Sequence, residues 1–277
     1  MKTVLITGAY GGMGRKAALA LRDRGYRVFA LDRKTEAEEE GIVPIQADVT
    51  DAASVESAYA AVSAQCAHLD AIVHFAGLYM LDSLVEMSED AMKRIFGVNF
   101  HGVYLVNKIF FPLLGKGSRI LITTSELAVL DPLPFTGIYA VTKGALDKYA
   151  YSLRMELQLL DIKVSVLRAG AVETEMLGTS TRALDRFCEN TTLYTCNARR
   201  FKEIVARVEA RCIPPEKIAQ KCGKILEKRN PRFAYSINRN PLLLLLECLP
   251  LRLRFYIIRL ILRDSRKGEK EKKGERS

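Results

Sequence analysis

A tyrosine and a lysine four positions apart, Tyr139 and Lys143, are the side chains of this sequence best suited to moving a proton. In a helix this spacing places both on one face. A free tyrosine has a pKa of about 10, too high for a base near neutrality. A nearby ammonium favours the phenolate and lowers that pKa by roughly 1–3 pH units. The pair therefore predicts a site where the Tyr139 hydroxyl exchanges a proton with a substrate oxygen.

Two polar residues that precede this pair complete a candidate catalytic set. Ser125 follows an apolar stretch typical of a strand, and its hydroxyl can donate a hydrogen bond to the same substrate oxygen. Asn99 begins a helical stretch, where it can hold a water that connects Lys143 to solvent. Tyrosine and lysine occur four apart by chance in many helices. The interpretation therefore depends on the other motifs of the chain.

A glycine-rich loop, Thr7-Gly8-Ala9-Tyr10-Gly11-Gly12-Met13-Gly14, follows the first apolar stretch. Gly8 allows the sharp turn, Gly12 allows a pyrophosphate to approach, and Gly14 allows the next helix to pack on the strand. The N-terminus of that helix offers free N–H groups and a positive dipole to phosphates. A glycine turn without a ligand is the alternative. The position of this loop between a strand and a helix favours the interpretation that it binds a dinucleotide.

The end of the second predicted strand bears on the choice of cofactor. Asp32 can accept hydrogen bonds from an adenosine ribose and repels a 2′-phosphate, which favours NAD. Arg33 can attract that phosphate, so NADP is the alternative. We predict NAD because Asp32 holds the discriminating position. Asp48 and Val49 follow the third strand and are candidates for contacting the adenine, although Asp48 is equally suited to capping a helix.

The elements that must position these side chains alternate along about the first 170 residues. Strands that are apolar on both faces and separated by helices predict a parallel sheet covered on both sides, with right-handed crossovers. We therefore predict an α/β fold, a doubly wound Rossmann-type sheet flanked by helices in one domain over residues 1–240. The predicted strands are Lys2–Thr7, Arg27–Leu31, Val43–Gln46, Ala71–Phe75, Arg119–Thr124 and Lys163–Leu167, and the helices are Met13–Arg24, Ala52–Ala67, Glu89–Phe96, Asn99–Leu114 and Ile138–Leu160.

The sequence changes character beyond Gly170. Glu173–Arg211 is polar and irregular, which suits a mobile covering segment. One more helix, Pro214–Lys228, and one more strand, Arg232–Ile237, are predicted after it. Residues 241–263 form a predicted apolar helical extension, and residues 264–277 a charged, disordered tail.

The extension at 241–263 has two interpretations. A spanning helix needs about 20 predominantly apolar residues, and Pro250 with Arg252, Arg254 and Arg259 argues against one. In the first interpretation the extension covers the substrate cleft or a subunit interface. In the second it lies on a membrane surface, with those arginines facing lipid headgroups. Both suit an apolar substrate.

Two further motifs, Ala76-Gly77 after strand 4 and Gly170–Thr174 after strand 6, follow the others in a fixed order. The whole set resembles the short-chain dehydrogenases/reductases over about residues 2–240. The resemblance implies hydride transfer between a nicotinamide and an alcohol or carbonyl carbon, with Tyr139 as general acid/base. It also implies that Lys143 holds the nicotinamide ribose and Thr174 the carboxamide. The predicted catalytic residues are Asn99, Ser125, Tyr139 and Lys143, and the predicted cofactor-binding residues are Gly8, Gly12, Met13, Gly14, Asp32, Arg33, Asp48, Val49, Ala76, Gly77, Tyr139, Lys143, Gly170, Val172 and Thr174.

The sequence departs from the family pattern at three places. His74–Gly77 replaces the usual Asn-Asn-Ala-Gly, which weakens the expected bracing of the sheet. Ala169 replaces the usual proline before the glycine at 170, which leaves that turn less rigid. The interval from Ser125 to Tyr139 is one residue longer than usual, so the position of Ser125 is less firmly implied. None of these changes removes a member of the catalytic set.

Composition bounds the remaining classes of function. The 277 residues are 49% hydrophobic and 27% charged, which allows one large core. The net charge of +10 suits an anionic partner. The basic residues of the chain are concentrated in the covering segment and the tail, without interleaved aromatic residues. We therefore do not expect the protein to bind nucleic acid. The six cysteines include no Cys-x-x-Cys pair, which predicts reduced thiols and no metal site.

The expected setting and partners follow from these features. The first residues form an apolar strand rather than a basic leader, so we expect a cytoplasmic protein, with peripheral membrane contact through residues 241–263 as a further expectation. The family and the apolar extension suggest a lipophilic alcohol or ketone of steroid, retinoid or fatty type as substrate. The family also suggests a homodimer or homotetramer. A catalytically idle NAD(P)-sensing protein on the same fold is the alternative.

Overall fold

The architecture comes from a computed structural model, which describes residues 1–209 and 211–263. In that part of the chain, seven parallel strands form one sheet in the order β3-β2-β1-β4-β5-β6-β7. The predicted α/β fold with a doubly wound sheet is confirmed. The strands are β1 Lys2–Thr7, β2 Tyr26–Asp32, β3 Ile42–Gln46, β4 Ala71–His74, β5 Arg119–Ser125, β6 Lys163–Ala169 and β7 Ala234–Ile237.

Helices cover both faces of this sheet. The side chains of the central strands are buried on both sides, as in β1, where Val4, Leu5 and Ile6 are all inaccessible. Val4 and Ile6 belong to the core beneath the helices at 12–22 and 215–227, and Leu5 belongs to the core beneath the helices at 52–63 and 102–110. The helices are α1 Gly12–Arg22, α2 Ala52–Ser63, α3 Glu89–Phe96, α4 Gly102–Phe110, α5 Gly137–Leu157, α6 Glu175–Asn190, α7 Thr195–Glu209, α8 Pro215–Glu227, α9 Pro241–Glu247 and α10 Leu251–Leu262.

The order of the strands reverses next to β1. Thr7, the last residue of β1, lies opposite Leu31 of β2 on one side and opposite His74 of β4 on the other. The chain therefore leaves β1 and β4 in opposite directions around the sheet, which opens a crevice at the carboxyl ends of these strands. Open α/β sheets bind ligands at such a point.

The expectation of an irregular covering segment over Glu173–Arg211 was wrong. Two helices, α6 and α7, occupy most of it. Each carries a pair of apolar residues three positions apart, Leu184 with Phe187 and Ala198 with Phe201, all buried in one cluster with Leu81. Burial of these pairs offsets the cost of ordering a polar sequence. The many Thr and Arg residues obscured this spacing.

The C-terminal extension forms two short helices, α9 and α10, which are separated at Pro250. None of the helices in the described part of the chain has the length and apolarity needed to cross a bilayer. The membrane-surface interpretation placed Arg254 outward together with Arg252 and Arg259. Arg254 instead lies buried in an ion pair with Asp131 and another with Glu247. The predicted disordered tail, 264–277, lies outside the described residues.

Candidate active site

The carboxyl edge of the sheet brings together side chains from three parts of the sequence. Ser125 is the last residue of β5, and Tyr139 and Lys143 lie on the first two turns of α5. The Ser125 side chain lies close enough to Tyr139 to lower the pKa of the tyrosine, so the longer interval in sequence does not separate the two residues. Between them, just before α5, Phe135 adopts a positive φ of 67°.

Lys143 is held almost entirely inside the protein, with 6% of its surface exposed. Its ammonium Nζ donates to the carbonyl oxygen of Thr123 at 3.2 Å and lies 5.8 Å from the centre of the Tyr139 ring. A Cβ added at Gly77 would come within 3.5 Å of the same nitrogen and 3.4 Å of Asn99 Oδ1. Gly77 therefore lies directly beside both the ammonium and Asn99.

Asn99 lies in a π-helical turn, Gly97–His101, between α3 and α4. Its side chain is fully buried: Oδ1 accepts from the Leu78 amide at 2.7 Å, and Nδ2 donates to the Leu78 carbonyl at 2.9 Å and to Thr142 Oγ1 at 3.1 Å. The side chain thus ties the loop after β4 to α5. Turns of this kind are frequent at functional sites. The predicted water at Asn99 stays a prediction.

The electrostatics of the Tyr139–Lys143 pair differ from our expectation. Burial raises the pKa of Tyr139 to about 12, and the nearby Ser125 side chain offsets this only in part. Burial lowers the pKa of Lys143 to about 8. The expected fall in the tyrosine pKa was therefore wrong for the free protein, because desolvation outweighs an ammonium that is directed towards the Thr123 carbonyl. A further positive charge in the crevice would favour the phenolate.

The glycine loop is packed more tightly than its sequence indicates. Gly8 has a φ of +65°, and a Cβ there would lie 2.6 Å from the amide nitrogen of Ala76. A Cβ on Gly14 would lie 1.9 Å from the Gly8 carbonyl oxygen, which supports its expected packing role. At Gly12, however, the nearest obstacle to a Cβ is the side chain of Thr174, at 2.8 Å. Gly12 thus permits the contact between the glycine loop and the loop after β6.

The N-terminus of α1 follows this loop directly. In the described structure no side chain caps it, and its N-cap residue is Gly11. The predicted residue Met13 lies in the first turn and packs partly against the core beneath α1. Uncapped N–H groups at a helix N-terminus, beside a backbone without side chains, fit a pyrophosphate.

Asp32 lies at the end of β2, beside the glycine loop. Its carboxylate accepts from the Tyr10 amide at 3.0 Å and from the Arg33 amide at 2.7 Å. The Arg33 side chain is exposed. A second guanidinium, that of Arg15 in α1, is paired with Glu39, and its nitrogen lies 3.2 Å from Glu36. Arg15 is thus already paired with two carboxylates.

Asp48 and Val49 follow β3, and their side chains are engaged within the protein. Asp48 accepts from the amide of Thr50 at 2.9 Å and from its hydroxyl at 2.7 Å. Burial raises the pKa of Asp48, but these hydrogen bonds outweigh it and lower the net value. Val49 is buried against Gly102, where a Cβ would meet it at 2.8 Å. Asp51, not Asp48, caps α2.

The loop after β6 carries Gly170, Val172 and Thr174. A Cβ on Gly170 would lie 1.8 Å from the carbonyl oxygen of Asn238, so only glycine fits there. Val172 is buried and forms an isolated parallel bridge with Ile213. The Asn238 side chain donates to the Ala171 carbonyl at 2.8 Å. The turn that lacks the usual proline is thus braced by Asn238.

Sequence reasoning missed the bracing that replaces the absent amides. His74 Nε2 lies 2.9 Å from Asn107 Oδ1, and Asn107 Nδ2 donates to the Tyr149 hydroxyl at 3.3 Å. The three side chains connect β4, α4 and α5. Because the amide oxygen can only accept, His74 carries its proton on Nε2. The expected weakening of the sheet is therefore offset by a different connection.

Two further residues near the site were also missed. The ring of Tyr79 contacts that of Tyr139 edge to face, with centroids 4.7 Å apart. Glu86 accepts from the Thr191 hydroxyl at 2.7 Å and from the amides of Thr192 and Leu193, which fastens the connection between α6 and α7 to the loop after β4. Tyr79 lies two residues after the Ala76-Gly77 motif, and this short distance in sequence could have indicated that it lies near the site. Nothing in the sequence points from Glu86 to residue 191.

Comparison with known proteins places this arrangement in a family. Residues 2–185 match the family model of the short-chain dehydrogenases. The chain therefore belongs to the short-chain dehydrogenase family, a family of oxidoreductases.

Individual relatives agree with this assignment. The chain is 26% identical over 231 residues to a 3-ketodihydrosphingosine reductase of Bacteroides thetaiotaomicron, covering 83% of this chain and 85% of that one. It is 34% identical over 191 residues to estradiol 17-beta-dehydrogenase 2 of Mus musculus, covering 64% of this chain and 50% of that one. The 3-ketoacyl-(acyl-carrier-protein) reductase of Brucella melitensis, solved with NADH, has the same fold, with a TM-score of 0.69 and 23% identity over 85% of this chain and 96% of that one.

Proposed function

We propose that this protein is an NAD-dependent dehydrogenase/reductase that transfers a hydride between the nicotinamide and the alcohol or carbonyl carbon of a lipophilic substrate. The observation that carries the proposal is the convergence of Ser125 and Tyr139 beside the buried ammonium of Lys143 at the carboxyl edge of the sheet. In the oxidative direction the alcohol carbon loses a hydride, its oxygen loses a proton, and a carbonyl forms. Tyr139 Oη takes that proton while Ser125 Oγ holds the oxygen.

The donors in the crevice suit a dinucleotide. The uncapped N-terminus of α1 would hold the pyrophosphate, and Lys143 Nζ, with hydrogens beyond the one given to Thr123, would hold the nicotinamide ribose. When bound, the oxidised nicotinamide supplies a hydride acceptor and a positive charge. Such a charge would lower the pKa of Tyr139 from its raised value. Asn99 would position a water for the lysine.

The preference for NAD rests on charge. Asp32 lies where a 2′-phosphate would be repelled, and Arg15 is already paired with Glu36 and Glu39. NADP stays the alternative because Arg33 is exposed beside Asp32. Titration of the protein with NADH and NADPH, followed by cofactor fluorescence, tests this preference.

The lipophilic character of the substrate is supported by the surroundings of Tyr139. Tyr79, Leu81 and Phe135 belong to an apolar cluster that also includes residues of α6, α7 and α10. Two of the relatives are named for ketodihydrosphingosine and estradiol, which are lipophilic molecules. We propose an alcohol or ketone of this kind without assigning a particular compound.

The proposed setting is the cytoplasm, and the proposed assembly is a homodimer or homotetramer. Exposed apolar side chains on α4 and α5, Tyr104, Tyr151 and Met155, support an interface between subunits. Peripheral membrane contact through α9 and α10 is also proposed. Sedimentation analysis of the purified protein tests the assembly.

The decisive experiment on the reaction is Tyr139→Phe. We expect kcat to fall by at least about 10²-fold, because the substitution removes the proton-carrying hydroxyl but leaves the ring against Tyr79. The dissociation constant for NADH should change by less than about twofold. Tyr151→Phe is the matched control on the same helix. A panel of alcohols with NAD⁺ and NADP⁺ supplies the assay, and a kcat close to wild type in Tyr139→Phe would exclude the proposed role.

A further inference from the structure

The exposed face of α10 adjoins the mouth of a large cavity. The cavity has a volume of about 990 Å³, at the upper end of the range for small-molecule sites. Its lining includes Gly137, two residues before Tyr139, and Phe255, Ile258 and Leu262 of α10. Tyr79, which contacts the Tyr139 ring, packs in the same apolar cluster as Ile258 and Leu262. Apolar surface is thus continuous from the catalytic tyrosine to α10.

The rim of this cavity is apolar and exposed. Leu84, Val85, Leu193 and Phe255 line the cavity and are each between 61% and 72% exposed. Tyr256 and Leu260 extend the exposed surface along α10. Contiguous apolar surface of this kind on a protein in water marks an interaction site.

The sequence of α10 divides into three stripes with helical spacing. Arg254, Ile258 and Leu262 recur every four residues and face inward, where the first is ion-paired and the other two pack in the core. Leu253, Tyr256 and Leu260 form an outward apolar stripe. Arg252, Arg259 and Arg263 follow the same periodicity next to it and are exposed. A basic row beside an apolar row is the pattern of a helix that lies in a lipid interface.

The helix is fixed to the body of the protein at both ends. Near its start, Arg254 is paired with Asp131 and Glu247. At its end, Asn197 Nδ2 donates to the Leu262 carbonyl at 2.6 Å, and Arg200 donates to the Arg263 carbonyl. The outward stripes therefore belong to a fixed surface of the folded protein.

From these observations we propose that α10 and the cavity rim dock on an anionic membrane surface, so that the cavity opens into lipid. An apolar tail of the substrate would then enter from the bilayer and place its alcohol or carbonyl group at Tyr139. The docking rests on the surface alone, whereas the identification of the tail as substrate rests on the proposed oxidoreductase function.

The charge of this surface favours a membrane, rather than a second copy of the chain, as its partner. A symmetric dimer through this face would set the row of Arg252, Arg259 and Arg263 against itself, and like charges repel. Anionic headgroups complement the same row. Residues 264–277, which follow directly, add six basic and four acidic residues in sequence.

Vesicle flotation tests the docking. The full-length protein should float with phosphatidylcholine/phosphatidylglycerol vesicles at low salt and less so at high salt or with phosphatidylcholine alone. Arg252→Glu/Arg259→Glu/Arg263→Glu should weaken partitioning by about fivefold or more per arginine. Absence of flotation under every condition would overturn the proposal, as would equal binding by the reversed variant.

The apolar contribution needs its own pair of variants. Tyr256→Asp/Leu260→Asp should abolish flotation, whereas Leu159→Asp/Leu160→Asp should not. The control leucines are also exposed, but they precede β6, at the opposite edge of the sheet from the site. Melting temperature and NADH binding show that both variants fold. If the wild type instead self-associates and the first variant dissolves that assembly, the face binds a second copy and the membrane proposal is wrong.

The absence of tryptophan from the sequence allows the cavity mouth to be located directly. Phe255→Trp should shift its emission to the blue and be quenched by vesicles containing brominated phosphatidylcholine. Leu159→Trp should show neither effect. Flotation without quenching of the tryptophan at 255 would mean that another face docks.

Turnover then separates this proposal from the proposed function. For a long-chain secondary alcohol carried in vesicles, Tyr256→Asp/Leu260→Asp should raise KM at least about tenfold, with propan-2-ol in solution unaffected. No NAD⁺ reduction with either alcohol would count against the function while flotation and quenching still decide the docking. Equal KM values for the vesicle-borne alcohol would refute entry from lipid.

Discussion

Acidification should destabilise this protein through one side chain beneath the site, His74. The imidazole is 2% exposed, its Nε2 is hydrogen-bonded to Asn107, and its buried Nδ1 has no partner among the described residues. A protonated ring would place a charge in the core, where the Asn107 oxygen could stabilise only one of its two N–H groups. Burial accordingly lowers the pKa of His74 from its ordinary 6.5 to about 4.

The size of the effect follows from proton linkage. As pH falls below 6.5, the unfolded chain binds a proton at residue 74, whereas the folded protein resists binding until about pH 4. The unfolded state therefore holds more protons across this window, and stability falls as pH falls. Between pH 8 and pH 5, the contribution of His74 amounts to a loss of about 2 kcal/mol in the free energy of unfolding, and below pH 4 it approaches about 3 kcal/mol.

Urea denaturation at pH 8, 6.5 and 5 measures this loss. The control is His74→Asn, which restores the residue usual in the family and cannot titrate in this range. Carboxylates such as Glu126 titrate in both proteins, so the difference between the two pH profiles isolates the histidine. The variant should lose about 2 kcal/mol less than the wild type on going to pH 5. Parallel profiles would refute the assignment of a neutral, buried imidazole.

Three further predictions concern the crevice and its cover. Asp32→Ala should weaken NADH binding and strengthen NADPH binding, measured by fluorescence titration; an unchanged ratio would remove Asp32 from cofactor selection. Gly12→Ala should cost about 1–3 kcal/mol in urea denaturation, because its Cβ would meet Thr174 at 2.8 Å, and Thr174→Ser should recover part of the loss. If the effects of the two substitutions on the free energy of unfolding simply added, the contact between Gly12 and Thr174 would be contradicted. Glu86→Gln should speed hydrogen exchange at the Thr192 amide, since an ionised acceptor is lost, and unchanged exchange would argue against this fastening.

The sequence predicted the sheet closely because its strands are apolar on both faces and end in marked turns. The predicted strands from Lys2–Thr7 to Lys163–Leu167 differ from the observed ones by at most two residues at either end. The proposed catalytic set could be named from the sequence for the same reason, because the positions of Tyr139 and Lys143 depend on local helical spacing and that of Ser125 on the end of a strand. Features of this kind are determined by short stretches of chain.

What could not be predicted depends on contacts between distant residues. The bridge from His74 to Asn107 spans 33 positions, and the one from Asn107 to Tyr149 spans 42. No local pattern indicates either. The prediction for the pKa of Tyr139 was wrong for a related reason. The spacing of Tyr139 from Lys143 is local, but the burial of Tyr139 depends on residues outside α5 such as Tyr79, whose ring contacts it. Side-chain burial follows from the fold as a whole.

The contact between Gly12 and Thr174 joins the two halves of the site. The glycine loop begins the first half of the sheet, whereas Thr174 ends the loop after β6 and immediately precedes α6. A pyrophosphate held at the N-terminus of α1 would therefore also lie beside Thr174 and the start of α6.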